Sequence, residues 1–244
     1  MSLASADITG VIAALRSEAR CLASRKHARL MVEASGMGCE RAAHSAQRLV
    51  RAGARALLCW GVAGALDPSL RCGDIVLASE VMGDSALTLH LESMRPALLP
   101  ARARLRTSAE WRGQLESVLA RQGPLVQGAV LTSSRLVCEV ALKARLFRET
   151  AAIAVDMESA AVAVVAQLHG LPFMALRVII DTASEELPGV LQRAGTGWAS
   201  WLAPAVTPTA WPGLMRLGRR YRVARRVLQH CAGHIGPGSQ APVP

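Results

Sequence analysis

The sequence has few aromatic residues and no closely spaced cysteines. One Tyr, two Phe and five Trp occur among 244 residues, which disfavours a surface that stacks nucleic-acid bases. The six cysteines form no Cys-x-x-Cys pair, and the six histidines form no set on a shared element. Neither a zinc site nor a disulfide framework is indicated. We expect no metal, no cofactor, no nucleic-acid partner and buried thiols in a reducing compartment.

Acidic residues are missing from the end of the chain. After Glu186 no Asp or Glu occurs, and the formal net charge of +10 is concentrated there. The basic residues beyond that point are Arg193, Arg216, Arg219, Arg220, Arg222, Arg225 and Arg226. The rest of the chain is close to balanced in charge.

A long uninterrupted apolar run is also missing. Residues 194–215 carry no charge, but Gly195, Gly197, Pro204, Pro208 and Pro212 interrupt them, which argues against a transmembrane helix. The apolar run over residues 8–15 is too short and wrongly flanked for a signal peptide. We expect a cytoplasmic protein whose first strand is this run.

What the sequence does contain is an alternation of apolar and amphipathic segments. With 51% hydrophobic residues, the chain can bury one large core. Strands are predicted over residues 8–15, 28–34, 56–60, 74–78, 125–131, 153–156 and 173–180. Helices are predicted over residues 16–23, 40–52, 108–121, 139–149, 157–169 and 190–202. The alternation predicts an α/β fold with a mixed, mostly parallel sheet flanked by helices.

Glycines and carboxylates cluster at the ends of the predicted strands. Ligands of such folds bind beyond the carboxyl ends of the strands, where the sequence places residues 61–64, Asp181 and the turn from Asp156 to Glu158. Glycines there allow close approach to an oxygen-rich ligand such as ribose or phosphate, although they also mark ordinary turns. We expect the active site at this edge.

Six segments resemble, in order and spacing, the nucleoside phosphorylase and nucleosidase superfamily. They are IAALRSE (12–18), SGMG (35–38), WGVAGAL (60–66), RCGDIV (71–76), AVDMESAA (154–161) and RVIID (177–181). The nearest branch is similar to the methylthioadenosine/S-adenosylhomocysteine nucleosidases. The resemblance implies a phosphorylase/hydrolase-like catalytic domain over residues 1–203, cleavage of an N-glycosidic bond, and a homodimer, since these enzymes usually complete the site from a neighbouring subunit.

The resemblance implies roles for three carboxylates. Asp181 would protonate the purine N7 as the base leaves and accept a hydrogen bond from a 6-amino group, which fits adenine. Glu158 would accept hydrogen bonds from the ribose hydroxyls, and Glu18 would hold or deprotonate the attacking water. The alternatives are structural: Asp181 caps the next turn, Glu158 is a first-turn acid, and Glu18 is a solvated residue on a helix.

The resemblance also implies contacts to the nucleoside. Met157 would pack on the sugar, and Leu136 and Val137 would cradle the purine, although the aromatic residue usual in the family is absent there. Ile180 stands where a Ser commonly precedes the catalytic Asp.

The glycine segment at residues 61–64 indicates which nucleophile the enzyme uses. Phosphorylases of the family place an Arg and a Ser or Thr around that glycine, whereas Gly61 and Val62 lie in a segment with neither. Phosphate would lack its usual clamp, so water is the predicted nucleophile. Arg16, Arg20 and Arg41 keep phosphate open as an alternative.

The basic end of the chain predicts an amphipathic helix. Leu214, Leu217, Tyr221, Ala224 and Leu228 follow three-four spacing, with most of the arginines elsewhere. Residues 204–244 are therefore predicted to form a basic extension with a frayed end. The span from Arg216 to Arg226, preceded by tryptophans, is typical of a helix on a membrane surface; the alternative is docking on the core or on a partner subunit.

The shortened middle region and the Trp-Pro, Arg-rich ending resemble the hopanoid-associated branch of the superfamily. That resemblance implies adenosylhopane as the substrate, an adenine nucleoside whose 5′ carbon bears a triterpene lipid. Other hypotheses are a soluble methylthioadenosine/S-adenosylhomocysteine nucleosidase, a phosphate-dependent purine nucleoside phosphorylase, and a non-catalytic nucleoside- or lipid-binding module. The departures at Ile180 and Val62 keep the last of these open.

Overall fold

The computed structural model describes residues 8–23, 29–84, 104–188, 191 and 211–235. The strands there are β1 (Thr9–Ala13), β2 (Leu30–Ala34), β3 (Ala56–Ala65), β4 (Ile75–Gly83), β5 (Leu105–Arg106), β6 (Leu125–Thr132), β7 (Ala154–Asp156) and β8 (Phe173–Asp181). The helices there are α1 (Arg16–Ala23), α2 (Cys39–Arg51), α3 (Ala109–Leu119), α4 (Val140–Thr150), α5 (Ser159–Leu168) and α6 (Trp211–Ala232).

The strands form one mixed sheet, and five of them close into a ring. Around the ring, β3 pairs with β7, β7 with β6, β6 with β4, β4 with β8, and β8 with β3 again. From β3 the sheet continues to β1 and β2, and from β4 to β5. Most pairs are parallel, which confirms the predicted α/β fold with a mostly parallel sheet.

Helices cover the sheet on both sides because its strands alternate their side chains between two cores. Ile12 of β1 packs in the core beneath α2 and α5. Its neighbour Val11 packs in the core beneath α1, α3 and α6, where Trp60 is fully buried. Functional side chains at the strand ends are thus held by a scaffold that is packed from both sides.

The structure differs from the predicted element bounds at the glycines of β3 and at the turn before α5. Residues 61–64 were expected to follow a strand, but β3 continues through them to Ala65, because Gly64 pairs with Val155 and Asp181. Glu158 precedes α5 instead of lying in its first turn, since the helix begins at Ser159. The predicted helix over residues 190–202 and the frayed end beyond residue 235 lie outside the described residues, apart from Leu191.

The apolar stripe of α6 faces the protein. Ala224, Leu228 and Cys231 are fully buried in the core shared with α1 and α3, so this half of the helix docks on its own chain, one of the two alternatives considered. At the other end of α6, Trp211 and Met215 are 55% and 59% exposed. Among the described helices, none is both long and apolar enough to cross a membrane.

Replacement of the buried stripe should destabilise the whole fold. We expect Leu228→Ala to lower the free energy of unfolding by about 2–5 kcal/mol, because it opens a cavity between α6 and the sheet. Urea denaturation followed by circular dichroism measures this change. The exposed neighbour Gln229→Ala is the control and should change stability by less than about 0.5 kcal/mol. Equal stability of the two variants would contradict the docking of α6.

Candidate active site

One cavity of about 570 Å³ gathers the predicted carboxylates. Its walls include Glu18, Glu158 and Asp181, together with Asp156. The predicted contact residues Val62, Leu136, Val137 and Met157 also line it. Gly61 does not line the cavity but lies behind Glu18. The closed ring of strands therefore brings together residues that are far apart in the sequence.

Glu18 is held by the main chain at the floor of this cavity. Its Oε2 accepts a hydrogen bond from the amide of Leu15 (2.9 Å), and its Oε1 accepts one from the amide of Val62 (3.1 Å). It is 1% exposed, so the alternative of a solvated helix residue is wrong. Burial raises the pKa of Glu18 above its ordinary value, which suits a group that exchanges protons with water.

Gly61 makes room for this carboxylate. A Cβ atom added there would lie 2.9 Å from the Glu18 carboxylate, and the backbone φ of 151° disfavours other residues as well. The glycine is thus required by the close approach of an acid from α1, and not by a turn.

Glu158 also lines the cavity and lies against the glycine turn after β2. Its Oε1 accepts a hydrogen bond from the amide of Gly38 (2.9 Å), and its side chain makes no hydrogen bond that caps α5. Burial raises the pKa of Glu158 to about 7, while the nearby Arg177 guanidinium opposes that rise and Asp156 adds to it. This carboxyl group therefore changes its charge close to neutral pH.

Asp156 organises the turn that carries Glu158. Its Oδ1 accepts hydrogen bonds from the hydroxyl of Thr132 (2.7 Å) and from the amides of Glu158 (3.3 Å) and Ser159 (3.2 Å). Its Oδ2 lies 2.7 Å from Nη2 of Arg177. Asp156 is thus committed to internal contacts, which leaves Glu158 as the acid of this pair that is available to a ligand.

Arg177, within the RVIID motif, is a buried partner of the cavity's acids that the sequence did not predict. It is 1% exposed in the middle of β8 and donates to the hydroxyl of Ser159 (3.0 Å) and to Sγ of Cys59 (2.9 Å). Its Nη2 also lies 3.6 Å from Oε2 of Glu158. A single charged residue within an apolar strand was the available signal, because such a charge must find a buried partner.

Asp181 ends β8 and also lines the cavity. It is 3% exposed, and its Oδ2 accepts a hydrogen bond from Nζ of Lys143 in α4. Burial raises the pKa of Asp181, and the Lys143 ammonium opposes this increase. The turn that follows is capped by Glu185, whose Oε2 accepts from the amide of Thr182 (3.1 Å), so the described contacts give Asp181 no capping bond.

The first half of α6 forms an apolar wall of the cavity. Leu214, Leu217, Gly218 and Tyr221 line it, and the Tyr221 hydroxyl lies 2.5 Å from Oγ of Ser17 in α1. Within the described residues, no group of three or more His, Cys, Asp or Glu side chains is arranged to hold a metal ion. The arrangement can bind a ligand that is polar at one end and apolar at the other.

Comparison with known proteins gives consistent matches. A family model described as the phosphorylase superfamily matches residues 19–198. The chain is 30% identical over 183 residues to the 5′-methylthioadenosine/S-adenosylhomocysteine nucleosidase of Mycobacterium tuberculosis, covering 65% of this chain and 71% of that one. It is 30% identical over 136 residues to the aminodeoxyfutalosine nucleosidase of Campylobacter jejuni, covering 55% and 59%.

The fold is shared with a solved structure. The crystal structure of the Helicobacter pylori 5′-methylthioadenosine/S-adenosylhomocysteine nucleosidase is similar with a TM-score of 0.68, 20% sequence identity, and coverage of 94% of this chain and 99% of that chain. At this identity the likeness concerns the arrangement of strands and helices.

The raised pKa of Glu158 predicts how stability depends on pH. Between pH 4.5 and about 7, the folded state binds a proton at Glu158 that the unfolded state lacks, so this group makes stability fall as pH rises. Glu158→Gln removes that contribution. We expect its loss of stability across this window to be shallower than that of the wild type, by up to about 1.4 kcal/mol per pH unit.

Urea denaturation of both proteins at several pH values measures the two slopes. The exposed Glu116→Gln in α3 is the control and should follow the wild type. Parallel pH dependence of the Glu158→Gln variant and the wild type would show that burial does not perturb this carboxyl group.

Proposed function

Since the chain belongs to the phosphorylase superfamily, we propose that it hydrolyses the N-glycosidic bond of an adenine nucleoside and releases adenine. The observation that carries this proposal is the convergence of Glu18, Glu158 and Asp181 on one cavity, each of them buried. The relatives that are named as nucleosidases support the reaction class. Three buried acids match the three tasks of this reaction.

Each task follows from the charge that develops as the bond breaks. The sugar becomes positively charged, and Glu158 stabilises it through the ribose hydroxyls more strongly in the transition state than in the ground state. The purine gains electrons, and Asp181, whose pKa is raised by burial, protonates N7. Glu18 then orients and deprotonates the water that attacks the sugar.

The charges around the cavity support water as the nucleophile. Four carboxylates line it, and Arg135 is the cationic residue among its described lining. Arg16, Arg20 and Arg41 are exposed on α1 and α2 and do not line the cavity. A phosphate anion would lack the bidentate clamp that it needs, whereas a neutral water requires no such clamp.

The apolar wall supports a large apolar group at the 5′ position. Leu187, Leu191, Leu214 and Leu217 all line the cavity, whose volume is that of a site for a drug-sized ligand. We propose adenosylhopane as the substrate, as the sequence resemblance implied. The sulfur nucleosides for which the relatives are named are the second candidates. A homodimer stays a prediction.

The outer face of α6 supports contact with an anionic membrane surface. Trp211 and Met215 are exposed beside Arg216 and Arg219, which is the composition of a helix at the headgroup level. The inner face of the same segment lines the cavity. A membrane-bound lipid nucleoside would therefore reach the site across this helix.

A product assay tests the reaction. In phosphate-free buffer, wild-type protein should release free adenine from adenosylhopane, and Asp181→Asn should be slower by at least about a hundredfold because the leaving base is no longer protonated. Chromatography of the base measures both rates. Asp67→Asn, on a half-buried acid outside the cavity, is the control.

The same assay separates the alternatives. Adenine from methylthioadenosine and none from the lipid nucleoside would overturn the adenosylhopane proposal and retain the reaction. A strict requirement for phosphate would identify a phosphorylase. Binding of every nucleoside without release of adenine would identify a non-catalytic binding module.

Vesicle binding tests the surface of α6. Full-length protein should sediment with phosphatidylglycerol vesicles, and the Arg216→Glu/Arg219→Glu variant should bind at least about tenfold more weakly, since each basic residue contributes about 1 kcal/mol near such a surface. The exposed pair Arg51→Glu/Arg55→Glu carries the same change of charge and is the control. Equal weakening by both double variants would show that only net charge matters and that α6 is not the contact surface.

A further inference from the structure

Lys143 is a fully buried cation whose described side-chain hydrogen bonds all go to residues 181–185. Its side chain is 0% exposed, and its Nζ donates to Oδ2 of Asp181, to the carbonyl of Thr182 (2.9 Å) and to the carbonyl of Glu185 (2.8 Å). Three donors meet three acceptors, so the cost of burying the ammonium is offset by a complete set of hydrogen bonds. The lysine thereby ties α4 to the end of β8.

The choice of lysine stands out against the composition of the chain. Of 28 Lys and Arg residues, only Lys26 and Lys143 are lysines. A planar guanidinium suits a flat, bidentate partner, whereas a compact ammonium suits three separate oxygens around one point. The geometry at Asp181 therefore calls for the residue that this sequence otherwise rarely uses.

Among the described contacts, the side chain of Asp181 has one hydrogen bond, which comes from Lys143. The preceding residue is Ile180, which offers no hydroxyl to the carboxylate. On the other side Gly64 makes space, since a Cβ atom there would lie 3.1 Å from Oδ2 and 3.2 Å from Oδ1. Lys143 does not line the described cavity, so it acts on a ligand through the segment that it holds, which begins at Asp181 and includes the carbonyls of Thr182 and Glu185.

We propose that Lys143 is the positioning residue of Asp181, holding Oδ2 so that Oδ1 is presented to the purine as an acceptor for a 6-amino group and as the carrier of the N7 proton. The inference rests on the proposed function, because it assigns the base to Asp181. It adds a specificity determinant for binding of the base: while Asp181 is ionised and held by Lys143 it only accepts, which suits the 6-amino group of adenine, whereas a carboxyl group that stays neutral also donates and tolerates a 6-oxopurine.

The contact between Lys143 and Asp181 also explains how Asp181 can lose its proton during the reaction and regain one afterwards. Burial alone would keep the Asp181 carboxyl protonated, and a close cation alone would keep it ionised. Burial raises the pKa of Asp181 while Lys143 opposes that rise, so the group can give a proton to the base and regain one afterwards.

The test compares wild type with Lys143→Met, which keeps the length of the side chain and removes its charge. We expect kcat for adenine release to fall about a hundredfold with KM changed less than about threefold, because the acid is misplaced and not the substrate. The Lys143 ammonium then no longer opposes the effect of burial on the pKa of Asp181, and only the more distant charge of Arg220 still lowers that pKa. The alkaline limb of the kcat/KM profile should therefore move to higher pH.

A double-mutant cycle distinguishes positioning from a structural role. In an Asp181→Asn background, Lys143→Met should change kcat less than about threefold, because the group on which it acts is already gone. Equal losses in both backgrounds, or an alkaline limb that does not move, would overturn the inference. If Lys143→Met alone does not fold, Lys143→Gln takes its place in the cycle.

Base binding keeps this test separate from the proposed function. If the wild type releases no adenine, the proposed reaction fails. Calorimetry with free adenine and with hypoxanthine still measures how Lys143 and Asp181 affect binding of the base. The wild type should prefer adenine, and Lys143→Met should lower that preference at least about tenfold. An unchanged preference overturns the role of Lys143 alone, and a wild type that binds neither base overturns both proposals.

Discussion

The burial of negative charge around one cavity is the constraint on which the rest of the structure depends. Four almost fully buried carboxylates line this cavity, and an isolated buried charge would cost more free energy than a protein of this size possesses. Each acid is therefore given partners that the fold must keep in place. Two of the partners are cations, Arg177 and Lys143, and both are buried behind the cavity wall.

The buried carboxylates differ in the groups that contact them, and therefore in how freely they can exchange protons or bind a ligand. Arg177 binds Asp156 at 2.7 Å and lies 3.6 Å from Glu158, so one acid stays committed to the scaffold and the other changes charge near neutral pH. Glu18 has two backbone amides in place of a cation. The closed ring of strands makes this division possible, because β3, β7 and β8 deliver their ends to the same space.

Local patterns in the sequence predicted most of the scaffold, and contacts across the sheet explain what they missed. The bounds of α1 were predicted correctly and most other described elements to within a few residues, since each depends on periodicity within a short window. The extension of β3 was missed because the glycines at 61 and 64 have the composition of a turn, although they serve Glu18 and Asp181. Lys143 lies 38 residues from Asp181, and no local pattern links the two.

The helix α6 shows why two hypotheses for one segment need not exclude each other. Its carboxyl-terminal half is fixed in the core by Leu228 and Cys231, so docking on the chain accounts for its position. Its amino-terminal half does something else, because Leu214 and Leu217 line the cavity while Trp211 and Met215 remain exposed. Since a helix presents different residues every 100° or so around its axis, one face closes the site and the opposite face is available to a surface. A substrate that is polar at its base and apolar at its 5′ end would use both.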